Sequence, residues 1–366
     1  MTTEETIKAI PMAERIKAIP MVERINAMPM VERINAMPKA ELHRHIEGCV
    51  RAGTVLDLAR QYGLKLPTFD PAGLEQLYKL RAPGASLSEV LGRFGLARAS
   101  FASYEAVERI TYEALEDAYK KENIRLLELR YSPDFMLSPK QLDWKKAQEI
   151  IASTMDKFER ANHVVCGVIV IASRSYGLNS ALKTIDFAVQ HKRTIIGFDL
   201  ADNEAEYPSS LYKDAVKKLA AAGLPLTVHS GEEGHYSQVV ETINALAPRR
   251  IGHGVKAAED ASGRTMELIR RAGVTVETNP WSNYLTRAVP SVEAHPLKKF
   301  IGAGLRCTIG ADDPEILDTD LNKEYRLAVE KMGLSFEDIR YTLRCAAEGS
   351  FLPKDKRQQA AKWLEI

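Results

Sequence analysis

This chain of 366 residues lacks long apolar runs, a charge imbalance and closely spaced cysteines. The longest strand-like apolar run, from Val164 to Ala172, is well short of the ~20 residues a membrane span needs, so no membrane partner is expected. Fifty Lys and Arg against 49 Asp and Glu leave a formal net charge of +1. No global field then favours nucleic acid or an anionic surface, and a small molecule is the expected ligand. The four cysteines, Cys49, Cys166, Cys307 and Cys345, are far apart with no C-x-x-C between them, which favours free thiols in a reducing compartment. The first residues, Met-Thr-Thr-Glu-Glu-Thr, have neither the basic start nor the apolar stretch of a secretory signal. A cytoplasmic location is expected.

What is present begins with a repeat. Pro11, Pro20, Pro29 and Pro38 recur every nine residues, each preceded by Ile-x-Ala-x and followed three residues later by Glu14, Glu23, Glu32 or Glu41. Proline at that period prevents a long helix, and nine matches neither a heptad nor a solenoid repeat. Residues 1–37 are therefore expected to be irregular, disordered or short helical turns, a tandem duplication of the approach to the next segment. An oligomerisation or docking arm is the less favoured reading. Residues 38–366 are expected to form one domain.

The fold is legible in alternation. Apolar runs at Ile124–Tyr131, Val164–Ala172, Thr194–Ala201, Leu224–Ser230, Arg250–Gly254, Val274–Thr278 and Leu305–Gly310 are separated by helical stretches, the pattern of repeated βα units on a parallel sheet. With a first strand at Lys39–Ile46 they make eight, predicting a (β/α)8 TIM-type barrel. A doubly wound open sheet is the alternative. Between the first two strands, residues 54–118 read as an all-helical insertion. The chain after Pro314 reads as closing helices.

In a parallel barrel the C-terminal strand ends meet at one mouth. Alternation on a strand places His43 and His45 on one face. The fifth strand ends in His229-Ser-Gly-Glu232, the sixth in Ile251-Gly-His253-Gly, and the eighth in Gly310-Ala-Asp312-Asp313-Pro. Three imidazoles and a carboxylate make a sensible zinc shell with a position left for water, and N/O ligands also admit iron or manganese. Glu232, two residues beyond a ligand-bearing strand, can act as general acid if burial raises its pKa. His253 can orient the water or take its proton. Of the adjacent Asp312 and Asp313, one can face the metal and one the substrate. Asp199, at a strand end, is expected to support a metal-bound histidine. His163, His191, His235 and His295 read as structural or solvated.

Taken in order, His-x-His-x-Glu-Gly, His-Ser-Gly-Glu, Ile-Gly-His-Gly and Asp-Asp-Pro resemble the adenosine deaminase family of metal-dependent hydrolases, over roughly Pro38 to Glu348. The resemblance implies one Zn2+ per chain, held by His43, His45, His229 and Asp312. It also implies Glu232 as proton donor to purine N1, His253 as the group orienting the water that attacks C6, and Asp313 hydrogen-bonding near N7. The implied substrate is adenosine or 2′-deoxyadenosine. Modified adenine nucleosides or nucleotides such as aminodeoxyfutalosine and N6-methyl-AMP come next, with adenine and then a non-catalytic nucleoside-binding barrel as more remote readings. Two departures bear on the sugar contact. Glu47 stands where adenosine deaminases often carry aspartate, and Asp202 stands where they usually carry glycine. Glu47, Asp202 and Asp313 are the expected substrate contacts.

Overall fold

The computed structural model describes residues 28–83 and 87–366, the backbone alone for residues 87–92. Eight strands run β1 (Lys39–His45), β2 (Ile124–Tyr131), β3 (Val165–Ser173), β4 (Gly197–Ala201), β5 (Leu226–Ser230), β6 (Arg250–His253), β7 (Thr275–Thr278) and β8 (Arg306–Ile309). They pair in sequence order and every pairing is parallel. The seam between β8 and β1 closes through the backbone: the His45 amide donates to the Asp312 carbonyl at 2.9 Å and the Asp312 amide to the His43 carbonyl at 3.2 Å. The predicted TIM-type barrel is therefore the observed one. Its strands read as nearly unbroken apolar runs because helices cover their outer faces, and β3 is buried along all but its last residue.

The four helices between β1 and β2, α2 (Ala52–Tyr62), α3 (Pro71–Tyr78), α4 (Leu87–Ser100) and α5 (Tyr104–Lys120), make up the predicted insertion. They follow α1 (Met30–Ala36), which spans the junction of the third and fourth nine-residue repeats. There Ile34 is fully buried and the Arg33 guanidinium lies 3.4 Å over the Phe336 ring. At this junction the chain forms a two-turn helix packed on the barrel, where the repeat predicts irregular or disordered chain or short helical turns, and residues 1–27 lie outside the described residues. Later helices alternate with strands, among them α6 (Trp144–Ala161), α7 (Gly177–Gln190), α8 (Lys217–Ala222), α9 (Tyr236–Leu246), α10 (Arg264–Ala272), α11 (Pro280–Leu285) and α12 (Leu297–Gly302). Three more, α13 (Leu321–Glu330), α14 (Phe336–Gly349) and α15 (Lys354–Leu364), close the chain. Left-handed glycines end α2, α8 and α10 at Gly63, Gly223 and Gly273, since a residue without Cβ takes that conformation at little cost. No described helix is long and apolar enough to cross a membrane.

The barrel interior is not wholly apolar. A ladder of fully buried charges crosses it: Glu128 to Arg250 at 2.7 Å, Arg250 to Glu277 at 2.5 Å, Glu277 to Arg130 at 2.8 Å, and Arg130 to Asp199 at 2.7 Å. Buried charges persist only when paired, and alternating signs satisfy that along the whole ladder. Its upper rungs are the floor of the site.

Candidate active site

His43 and His45, two residues apart on β1, both reach the barrel mouth as alternation requires. His43 Nε2 is 3.3 Å from His45 Nε2 and 3.4 Å from Asp312 Oδ1, and His45 Nε2 is 3.3 Å from Asp312 Oδ1. A tetrahedron with metal–nitrogen bonds of ~2.05 Å has edges of ~3.3 Å, so these three atoms are spaced as three corners of one. His229 is the fourth neighbour, its ring centroid 4.7 Å from that of His43, and the ligand atoms of His43, His45 and His229 fall within 4.8 Å of one another. A second grouping of His43, His253 and Asp312 meets the same limit. His253 Nε2, however, is nearer to Glu232 Oε2, at 3.4 Å, than to Asp312 Oδ2, at 3.9 Å. The donor set of imidazoles and a carboxylate fits zinc, with His253 beside the cradle and not in it.

The histidines are held from behind. His43 Nδ1 bonds Glu277 at 2.7 Å and His229 Nδ1 bonds Asp199 at 3.1 Å, so the charge ladder fixes which nitrogen each ring turns to the cradle. Burial alone would raise the Asp199 carboxyl, but His229 and Arg130 outweigh it and hold it well below the usual carboxylate range. Gly252 is required here, because a Cβ at that position would lie 2.9 Å from His43 Cε1. His253 and Asp312 sit at φ 64° and 62°, conformations that non-glycine residues adopt at a cost of order 1–3 kcal/mol each.

Glu232 lies on the loop after β5. The amides of Gly231, Glu232 and Glu233 all donate to the Glu204 carboxylate, at 2.8, 2.9 and 3.0 Å. That clamp aims the Glu232 side chain inward, where burial and then the charge of Asp312 push its pKa up to about 8. At neutral pH it carries a proton. Asp313 is pushed well above the ordinary range by burial, with Asp312 and Glu47 adding to the effect. Burial raises Glu47 to about 7. Glu47 Oε1 accepts from the Ser132 amide at 2.7 Å, while Glu47 Oε2 and Asp313 Oδ1 are buried without a partner. Both residues line the cavity, while these two oxygens are themselves covered.

The cavity holds about 310 Å3, at the small-ligand end of the roughly 300–1,000 Å3 range for such sites. His45, Glu47, Asp202, His229, Glu232, His253, Asp312 and Asp313 all line it, whereas His43 and Asp199 sit behind its surface. An apolar side is formed by Phe94, Phe135, Ile171, Tyr176 and Leu317. No lysine or arginine is among the described lining residues, and Arg98, whose guanidinium packs 5.2 Å from the Phe135 ring centroid, stands outside them. Asp202 explains its own departure from glycine: it adopts φ 80°, and its carboxylate is occupied by Ser173 Oγ at 2.6 Å, the Ser175 amide at 3.3 Å and the Asn203 amide at 2.7 Å. Aspartate tolerates the left-handed region better than most residues.

Sequence reasoning missed Glu277, Arg130 and Arg250, which stand behind His43 and His229, Glu204, which clamps the loop of Glu232, and Asn279 and Asn283, which hold His253. A charged residue inside an otherwise apolar strand, as in Thr275-Val-Glu277-Thr, was the available signal for the first three. Glu204 offered only an acid on a strand-exit loop. His295, read as structural or solvated, is buried and bonded to Asn283.

The adenosine deaminase family model matches residues 38–364. The adenosine deaminase of Shewanella loihica is 31% identical over 318 residues, covering 87% of this chain and 95% of that protein. Among solved structures, an adenine deaminase from Arthrobacter aurescens superposes with a TM-score of 0.82 at 24% identity, covering 90% of this chain and all of that one. An N6-methyl-AMP deaminase from Arabidopsis thaliana gives 0.78 at 24% identity, covering 92% and 98%.

Proposed function

The chain belongs to the adenosine deaminase family, a group of hydrolytic aminohydrolases, and from that premise we propose that it converts adenosine and 2′-deoxyadenosine, with zinc, into the 6-oxo nucleosides and ammonia. The observation that carries this reading is Glu232, a carboxyl kept protonated to about pH 8 and set 3.4 Å from His253 beside the cradle. Ester or lactone hydrolysis needs no acid aimed at a ring nitrogen, whereas deamination does, since protonating N1 makes C6 electrophilic.

In this proposal His43, His45, His229 and Asp312 hold one Zn2+, which when bound supplies a water whose pKa falls to roughly 7. Glu232 gives its proton to N1. His253 orients the water toward C6. Asp313, whose carboxyl burial pushes up, hydrogen-bonds near N7, and Glu47 borders the sugar end of the cavity. Asp202 borders the sugar end of the cavity with its carboxylate already engaged, and Asp199 holds the His229 ring. Residues 38–366 act as one catalytic domain with residues 1–37 leading into it, and the protein works in the cytoplasm.

The cavity lining supports a nucleoside over a nucleotide. No lysine or arginine is among the described lining residues to pair with a phosphate. The test is formation of the 6-oxo purine by zinc-loaded protein from adenosine, 2′-deoxyadenosine, adenine, AMP, N6-methyl-AMP and aminodeoxyfutalosine, the amine released being methylamine from N6-methyl-AMP and ammonia from the others. Adenosine and 2′-deoxyadenosine are expected to lead. No turnover of any aminopurine would sink the reading, and N6-methyl-AMP in the lead would replace its substrate.

A further inference from the structure

His253 is held by a chain of hydrogen bonds whose directions are set at its far end. The Leu297 backbone amide donates to His295 Nδ1 at 3.2 Å. A backbone N–H is always a donor, so His295 Nδ1 is the acceptor and the proton of the neutral ring resides on Nε2. Burial keeps that ring neutral. His295 Nε2 is 3.2 Å from Asn283 Oδ1, so its N–H donates to the amide oxygen. That contact turns Asn283 Nδ2 toward His253 Nδ1 at 2.9 Å, and Asn279 Nδ2 approaches the same nitrogen at 3.3 Å. His253 Nδ1 is thus an acceptor for two amide groups, and the ring's other nitrogen carries the hydrogen. Asn283 is fully buried and His295 is 4% exposed, so water does not substitute for a mismatched partner.

We propose that His295 and Asn283 are a positioning pair that locks His253 as its Nε2–H tautomer, so that His253 offers the attacking water a hydrogen-bond donor and not a base. Protonating Nδ1 would set an N–H against the Asn283 amide. Turning that amide round would in turn set its N–H against the His295 Nε2–H. Releasing the conflict requires His295 to change tautomer and give up the Leu297 amide. The lock therefore extends from the start of α12, through α11, to a ring whose Nε2 faces Glu232 and Asp312. The catalytic part of this inference rests on the deaminase reading, while the tautomer part stands on the hydrogen bonds alone.

The experiment is 15N-histidine NMR of the full chain, metal-free and zinc-loaded, with steady-state kinetics on adenosine. In the parent protein both His253 and His295 are expected to show protonated Nε2 and unprotonated Nδ1. Asn283→Asp, whose carboxylate only accepts, is expected to move the His253 proton to Nδ1 and lower kcat about 10- to 100-fold, with KM near the parent value. His295→Phe, which frees the amide to turn, is expected to give a mixture of His253 tautomers and a smaller loss in kcat. A protonated Nδ1 on neutral His253 in the parent overturns the proposal, as does an Asn283→Asp enzyme with inverted tautomer and unchanged kcat. The parent spectrum decides even if a variant fails to fold. It needs no substrate, so failure to deaminate adenosine would overturn the functional reading and leave the tautomer assignment standing.

Discussion

Replacing Glu277 with glutamine tests whether the buried ladder, and not only the four cradle residues, sets metal affinity. The Glu277 carboxylate bonds His43 Nδ1 at 2.7 Å, Arg130 Nη2 at 2.8 Å and Thr227 Oγ1 at 3.1 Å and forms an ion pair with Arg250 Nε at 2.5 Å, and the three charged or imidazole partners are fully buried. A glutamine has one acceptor oxygen for those donors. Removing one partner of a buried ion pair costs roughly 3–5 kcal/mol. Here the lower figure applies, because Arg130 keeps Asp199 and Arg250 keeps Glu128. Against a total stability of roughly 5–15 kcal/mol, that loss is visible as a lowered denaturant midpoint in the metal-free protein. Losing the carboxylate behind His43 should also weaken zinc about 10- to 100-fold, or ~1.4–2.8 kcal/mol. Competition with a chelating dye measures that, and saturating zinc should restore most of the rate. Glu128→Gln, at the far end of the ladder, is the control: it should lower stability and leave zinc affinity alone. Unchanged zinc affinity in Glu277→Gln, or an equal loss in Glu128→Gln, would refute the reasoning.

Glu232→Gln should abolish turnover while zinc stays bound, and Asp312→Ala should lose both; full activity in either removes the role assigned to that residue. The proposed role makes the acid the active form of Glu232, whose pKa burial and the charge of Asp312 raise to about 8 in the metal-free site, so the rate should fall on the alkaline side. Only the zinc-bound protein turns over and the bound cation offsets the charge of Asp312, so in saturating zinc the alkaline limb of kcat/KM should lie below about 8; a rate that increases as pH rises past about 8 contradicts the assignment. Gly48→Ala should cut kcat/KM by displacing Asp313, whose Oδ1, Cβ and Cα crowd the position of the new methyl, while zinc content measured by atomic absorption stays that of the parent. All four cysteines are buried and unpaired, so Tm should be the same with and without reductant, and a thiol reagent should titrate them only on unfolding.

The chain order of β-type and helix-type runs was enough to predict the barrel, because parallel strands covered on both faces read as short apolar segments and their covering helices read at another period. Strand ends were equally legible. Polar residues that interrupt those runs at His43, His45, His229, His253 and Asp312 stand out for the same reason. Alternation then places the β1 pair on one side without any knowledge of the rest. The nine-residue repeat shows the limit of such reading: its period announced duplication, but only packing against Phe336 and the core decided that Met30–Ala36 is a helix on the barrel.

What only the tertiary structure decided is the set of partners. Glu277 is 234 residues from His43 and Glu204 is 28 from Glu232, separations at which no local pattern links a donor to its acceptor. The pKa shifts followed from the same assembly, since burial and neighbouring charge push the Glu232 and Asp313 carboxyls up, and neither cause is a property of their sequence positions. The choice of nitrogen on each histidine is likewise made by what stands behind the ring. The sequence by itself determined which chemical groups reach the mouth of the barrel. The fold determined their charge, their orientation and the cation-poor wall they face, because those depend on distances between strands that meet only when the barrel closes.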